Sequence, residues 1–201
     1  MKYTLLILLI TSTLISCSNN DPIEPFTPTL PPITQTGANT FGCYIDGNLL
    51  TPRDGSGSIY GAAKGMKYSV APDDMSYNEI RVQDYQSGTG GIIKIHITEL
   101  HQNGEGSFTI NESNCEDGLD ANPTINFHCR WLDEVTQTYK WYCSIENAGT
   151  IIISRYDLDN RIVSGTFSCT LQNRDDPTEQ IEITQGRFDI KWDLLDETDF
   201  P

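Results

Sequence analysis

Cationic side chains are scarce in this chain: 13 Lys and Arg stand against 28 Asp and Glu, for a net charge of −15. Binding a phosphate backbone needs a broad basic face that displaces counterions, so nucleic acid is excluded as a partner. Docking on anionic lipid through surface charge is disfavoured for the same reason. A long hydrophobic run is also missing. The longest, residues 3–15, has 13 residues, whereas a spanning helix needs ~20. No G-x-S-x-G elbow, H-E-x-x-H helix or Gly-rich phosphate loop occurs. No two cysteines have C-x-x-C spacing, which removes zinc ribbons and thioredoxin-like redox sites. Of the three histidines, His96 and His101 lie five apart on an expected strand and so point to opposite faces, which does not make a metal pair; His128 is the third. No metal, cofactor or catalytic residue is therefore expected. Helical periodicity is absent too, apart from a weak candidate at 59–66, where two alanines sit among glycines.

What is present begins at the N-terminus. Lys2 precedes the short apolar run, and Leu14-Ile15-Ser16-Cys17 closes it. This is the form of a signal peptide ending in a lipobox, an aliphatic residue and a small residue placed ahead of a cysteine. Residues 1–16 are read as the signal peptide and Cys17 as the lipidated N-terminus of the mature chain. Acyl chains contribute ~0.8 kcal/mol per buried methylene, so such an anchor on the membrane is effectively permanent. Ser18 follows the cysteine, where aspartate would mark inner-membrane retention, so outer-membrane sorting is expected, with the domain facing the periplasm or the cell surface. Cleavage removes Lys2 alone among the charged residues, leaving 12 basic against 28 acidic side chains and a net charge near −16.

Residues 17–39 hold five of the ten prolines: Pro22, Pro25, Pro28, Pro31 and Pro32. Proline fixes φ and removes an amide donor, so neither strand nor helix is expected there. The segment reads as a semi-rigid tether reaching on the order of 60 Å at ~3.1 Å per residue. Residues 40–201 follow as one domain of a size that supports a single core.

That domain reads as all-β, an antiparallel sandwich or barrel of hairpin-connected strands with little helix. Cys43-Tyr44-Ile45, Asp46-Gly47 and Asn48-Leu49-Leu50 form a tight hairpin with the dipeptide a type I′ turn favours. Further strands are expected at 92–100, 107–110, 127–132, 138–146, 150–156, 162–172 and 179–192. Phe167, Cys169 and Leu171 share one face, as do Phe188, Ile190 and Trp192, which is the period of a strand with one buried side. Gly165 and Gly186 interrupt good strands, where glycine marks a bulge or a close backbone approach.

Five cysteines remain after Cys17, an odd number in an export pathway that permits disulfides. If the turn between 127–132 and 138–146 centres on Thr136, then Phe127 faces Ile145, Cys129 faces Cys143 and Trp131 faces Trp141. That register admits a Cys129–Cys143 disulfide, since opposed β-carbons lie ~4.5–5.5 Å apart. It also puts Trp131 and Trp141 in the core and leaves Tyr142 outside. The remaining cysteines are expected to be buried small hydrophobes.

Ligand candidates are few. Residues 111–120 concentrate oxygen ligands without the alternating spacing of a calcium loop, so a solvated acidic loop is expected. Asp157 and Asp159 begin like a calcium loop, but Ile162 stands where glycine is required. With Tyr142 they are the weak candidates for ligand contact. Arg155, Asp157, Arg187 and Asp189 are placed to form a charge cluster across neighbouring strands.

The lipobox and proline tether lead into Ala38-Asn39-Thr40-Phe41-Gly42-Cys43. Later come residues 149–157, GTIIISRYD, then 162–167, IVSGTF, and 183–189, ITQGRFD. On these segments the chain resembles a family of uncharacterised cell-envelope lipoproteins of Bacteroidota. The resemblance implies an envelope address and a β fold and carries no catalytic residues. The function expected is therefore a membrane-anchored, non-enzymatic binding or accessory domain with a protein or glycan partner. Glycan capture by exposed aromatics is the alternative, and a hydrolase built from two carboxylates the remoter one.

Overall fold

The computed structural model describes residues 26–58, 61–71, 76–87, 91–133 and 135–201. The signal peptide and Cys17 lie outside the described residues. The chain forms β1 (Thr40–Ile45), β2 (Asn48–Leu50), β3 (Gly57–Ser58), β4 (Gly61–Ala62), β5 (Met66–Val70), β6 (Tyr77–Gln83) and β7 (Ile92–Thr98). A single helical turn, α1 (Leu100–Asn103), precedes β8 (Gly106–Ile110), β9 (Asn126–Asp133), β10 (Thr138–Asp157), β11 (Ile162–Asn173) and β12 (Gln180–Lys191). Ten strands make one antiparallel sheet in the order β2-β1-β12-β11-β10-β9-β7-β6-β5, with β8 also on β10; β3 and β4 pair separately. The sheet curls into a half-barrel, so the all-β expectation is met. Among the described residues no helix is long and apolar enough to cross a membrane.

The curl wraps one face of the sheet around a core. Ile80 and Val82 of β6 and Ile93, Ile95 and Ile97 of β7 are buried together with Ile151, Ile153, Leu171, Ile183 and Ile190 from the other limb. The expected alternation holds at Phe167, Cys169 and Leu171; Phe188 and Ile190 are buried as expected, but Asp189 between them is buried too, and Trp192 lies past the end of β12 and is half-buried. Phe167 is the hub, with its ring centre 5.7 Å from that of Phe41 and 5.2 Å from that of Phe127. Both strand glycines serve close approach. Gly165 pairs with Phe188 and Gly186 with Phe167 across β11 and β12. A Cβ on Gly186 would lie 2.3 Å from the Phe167 ring, and one on Gly165 2.7 Å from that of Phe188. Each aromatic thus lies over the glycine opposite, a pairing that shields bare backbone and pins register.

The gap expected at 147–149 is instead a large bulge within one continuous strand. Ser144 faces Leu171 and Gly149 faces Cys169, so the residues between them on β10 oppose Thr170 alone. Asn147 takes the left-handed conformation that this needs, with φ 57°. Before the bulge β10 pairs with β9, and after it with β8. The expected helical candidate at 59–66 is replaced by β4 and the start of β5, with 59 and 60 outside the described residues. His101 sits in α1 and not on a strand.

The β9–β10 register differs from expectation by one residue. Tyr142 faces Cys129, Cys143 faces His128 and Trp141 faces Arg130. The turn centres between Val135 and Thr136 because Asp133 organises it. Its Oδ1 accepts the Val135 and Thr136 amides at 2.8 and 3.1 Å, and its carbonyl accepts the Gln137 amide. A one-residue slip moves every side chain to the other face. Tyr142 is therefore in the core beside Cys129 and Trp131, while Trp141 and Cys143 point outward, and no Trp131–Trp141 pair forms.

The Cys129–Cys143 disulfide is accordingly absent. Cys143 bonds instead to Cys115, with 5.6 Å between the α-carbons, and Cys129 is a free buried thiol with Cys43 and Cys169. This bond ties the 111–120 loop onto the outside of the sheet. A loop closed over 28 residues stabilises the fold by about 3–4 kcal/mol in the chain-entropy account. A Cys115→Ser, Cys143→Ser variant is expected to lose that amount in denaturant unfolding. Burial pushes the Cys169 thiol up to about 12 and raises those of Cys43 and Cys129 further, so thiol reagents should find these three only after unfolding. An unchanged midpoint, or a core thiol that reacts in the folded protein, would contradict the arrangement.

Candidate functional site

The first polar centre to emerge is a clamp on the segment before β1. Residues 26–39 contain neither strand nor helix, as their prolines dictate, yet they are not free. Asp189, fully buried on β12, accepts hydrogen bonds from Thr34 Oγ1 at 2.6 Å, the amides of Thr36, Gly37 and Ala38 at 2.9, 2.8 and 3.2 Å, and Ser164 Oγ at 2.7 Å. Burial by itself would raise this carboxyl, but the donors outweigh it and hold it at about 2. The expected four-member charge cluster does not form. Arg155 pairs with Asp157 at 2.7 Å and donates to the Gln35 carbonyl, while Arg187 donates to the Pro31 carbonyl at 3.2 Å. Three of the four residues thus hold the linker. Upstream, Pro28 lines a cleft of about 350 Å³ together with Asn48, Leu49 and Trp131.

Trp131 also lines a second cleft, of about 410 Å³, where three hairpin tips meet. Its other walls include Asp46, Asn48, Asp133, Tyr142 and Glu179. Lys140 bridges the two carboxylates at one end, 2.6 Å from Asp133 and 2.8 Å from Glu179. Tyr142 Oη donates to Glu179 at 2.5 Å and Asn173 Nδ2 donates to it at 2.7 Å. Lys140 is the main cause holding both carboxyls below the usual range, whereas burial and then Glu179 push the Tyr142 phenol up. A general acid for glycoside cleavage needs its carboxyl shifted up. This pair is shifted down and is fitted to brace hairpin tips.

A third polar group lies on the outer face beneath the disulfide-tethered loop. Asp117 pairs with Lys94 and lies 3.0 Å from His128 Nε2. His128 foremost, then Lys94, hold its carboxyl at about 2 against the effect of burial. Glu79 accepts the Gly118 amide at 2.7 Å and lies 3.0 Å from His96 Nδ1. The loop expected to be merely solvated is therefore docked.

The sequence candidates are scattered. Tyr142 sits in the cleft wall at the start of β10, while Asp157 ends the same strand. Asp157 caps its turn through Arg155 and the Asn160 amide and side chain, and Asp159 is exposed beside it. No set of three potential ligand side chains converges on a metal among the described residues. Asp189, Lys140 and Glu179 carry the polar geometry that sequence patterning missed. The available signal was Asp189 standing between two core positions on a strand.

Asp189 gives a pH dependence of definite sign. Its folded-state pKa, about 2, lies below an unfolded value of ~3.9. Its contribution, roughly 2–3 kcal/mol, is complete above the unfolded value and is lost as pH falls through the folded one. Asp189→Asn is expected to abolish that acid dependence, lower stability by on the order of 3 kcal/mol, and open residues 29–39 to protease at neutral pH. Cleavage there at the unaltered protein's rate would show that the clamp does not hold the linker.

No known protein family, no curated protein and no solved structure matches the chain.

Proposed function

We propose that this protein is a lipid-anchored module of the bacterial envelope that captures a ligand without transforming it, held close to the membrane by a linker that is part of its fold. The observation that carries this is the clamp on Asp189. Docking of residues 26–39 leaves only the nine residues 17–25 to cross from the anchor, a reach of no more than about 32 Å. That is half the free tether expected from proline content alone. The linker enters at Phe26, in a groove with Pro52 and Phe200, and passes Trp131 and the cleft at the hairpin tips through Pro28. The saturated carboxylates of that cleft favour binding over hydrolysis, and the resemblance to Bacteroidota envelope lipoproteins agrees with outer-membrane sorting.

Replacing the acylated sulfur tests the anchor. Cys17→Ser is expected to shift the full chain from the membrane to the soluble fraction and to leave its N-terminal peptide without acyl mass. Equal membrane retention of this variant would refute the anchoring. Protease treatment of intact cells, read on the exposed 158–160 turn, separates the cell surface from the periplasm.

A further inference from the structure

We infer that the outer face of β5, β6, β7, β9 and β10 binds an acidic polysaccharide, a chain of uronic or sulfated sugars. The inference rests on the reading above of the protein as a capture module and names its ligand class. Strand register sets Lys67 opposite Arg81, Arg81 opposite Lys94, and Lys94 opposite His128. The directly opposed like charges of Lys67, Arg81 and Lys94 weaken a sheet. This row stands in a chain where acids outnumber bases 28 to 13. Asp117 neutralises Lys94, but among the described residues no carboxylate pairs with Lys67, Arg81 or Arg130.

The two guanidinium groups are pre-oriented. Arg130 stacks 4.3 Å above the Tyr139 ring and lies directly opposite Trp141. Arg81 is aimed by Gln83 Oε1 at 2.7 Å and Tyr85 Oη at 3.4 Å. Stacking on the Tyr139 ring leaves the edge donors of Arg130 open to bidentate contact with a carboxylate or sulfate, whereas Tyr85 Oη accepts from both Nη atoms of Arg81 and has to share or yield those donors to a ligand. Two strand spacings and two residues of offset separate the α-carbons of Arg81 and Arg130, roughly 12 Å, the span of a short oligosaccharide. The half-buried Trp141 and the 39% exposed Tyr139 add the apolar surface that the C–H face of a sugar ring covers. The register slip on β10 is what brings Trp141 to this face. Duplex nucleic acid is disfavoured, because a narrow strip on an otherwise acidic surface repels a broad polyanion.

Affinity electrophoresis of the full mature chain in gels holding polygalacturonate, dextran sulfate or neutral dextran tests this. Retardation by the two acidic polymers and none by neutral dextran is expected. Arg81→Gln with Arg130→Gln should weaken it at least about tenfold, and Trp141→Ala several-fold, which ion exchange alone would not produce. Lys67→Gln, at an exposed edge position, should weaken it without touching the core, so a loss caused by unfolding is recognised. Undiminished retardation in the Arg variants overturns the proposal. So does equal retention by a single-stranded oligonucleotide, or capture of the Cys17→Ser chain by phosphatidylglycerol vesicles that the Arg substitutions abolish, which would assign the strip to lipid headgroups. Failure here leaves the fractionation of Cys17→Ser untouched, and the reverse also holds.

Discussion

A buried carboxylate that no cation pairs with among the described residues organises this molecule. Asp189 is ionised in the interior, and removing such a charge from water is costly unless donors replace the lost solvent. Ser164 supplies one donor from the neighbouring strand, and the linker supplies the others. The linker therefore cannot leave without stranding a charge, and the boundary between tether and domain lies well before the first strand. The same contact explains why Phe188, Asp189 and Ile190 are buried in succession. A strand with one solvated face alternates, whereas β12 carries the core on one side and the linker on the other.

The second constraint is the bulge in β10. One strand of 20 residues runs around a tightly curled sheet, and extra residues at the bulge let it turn and change the neighbour on one side. The excess around Asn147 hands β10 from β9 to β8 while β11 stays paired along both halves. That handover positions the 111–120 loop, because β8 delivers the chain to Ser113 and Cys115 beside Ser144 and Cys143. The Ser113 amide donates to the Ser144 carbonyl at 2.8 Å, and the disulfide follows from that proximity. Asp117 is then carried over Lys94 and His128, which confines unpaired positive charge to the flanks of that row.

Much of this was legible in the sequence. Period-two patterning located β11 and β12 and their buried faces, the Asp46-Gly47 turn formed with both residues at positive φ, and Gly165 and Gly186 proved to be sites of close approach. What failed was register and partnership. Matching thiol with thiol and tryptophan with tryptophan favoured a turn centred on Thr136, whereas the Asx-type bonds of Asp133 decided the loop length. Local hydrogen bonding outweighed side-chain likeness, and the slip exchanged the inside and outside positions of Tyr142 and Trp141. The Cys115–Cys143 bond was beyond reach for another reason. It depends on a β8–β10 pairing between segments separated by β9, and nothing in local pattern encodes that.

The linker shows how one composition carries two consequences. Its prolines exclude it from the sheet, as the sequence implied, but they also reduce the entropy that must be given up when it docks. Residues 26–39 contain no charged side chain, so the only donors they can offer a buried carboxylate are amides and threonine hydroxyls. With no amide at Pro31 or Pro32, the donors that remain, from Thr34 to Ala38, are those that converge on Asp189. A lysine in this stretch would bring a long, strongly hydrated charge into a site already filled by six hydrogen bonds, with no room for its own solvation. Neutrality and proline content together make the segment a fitted strap.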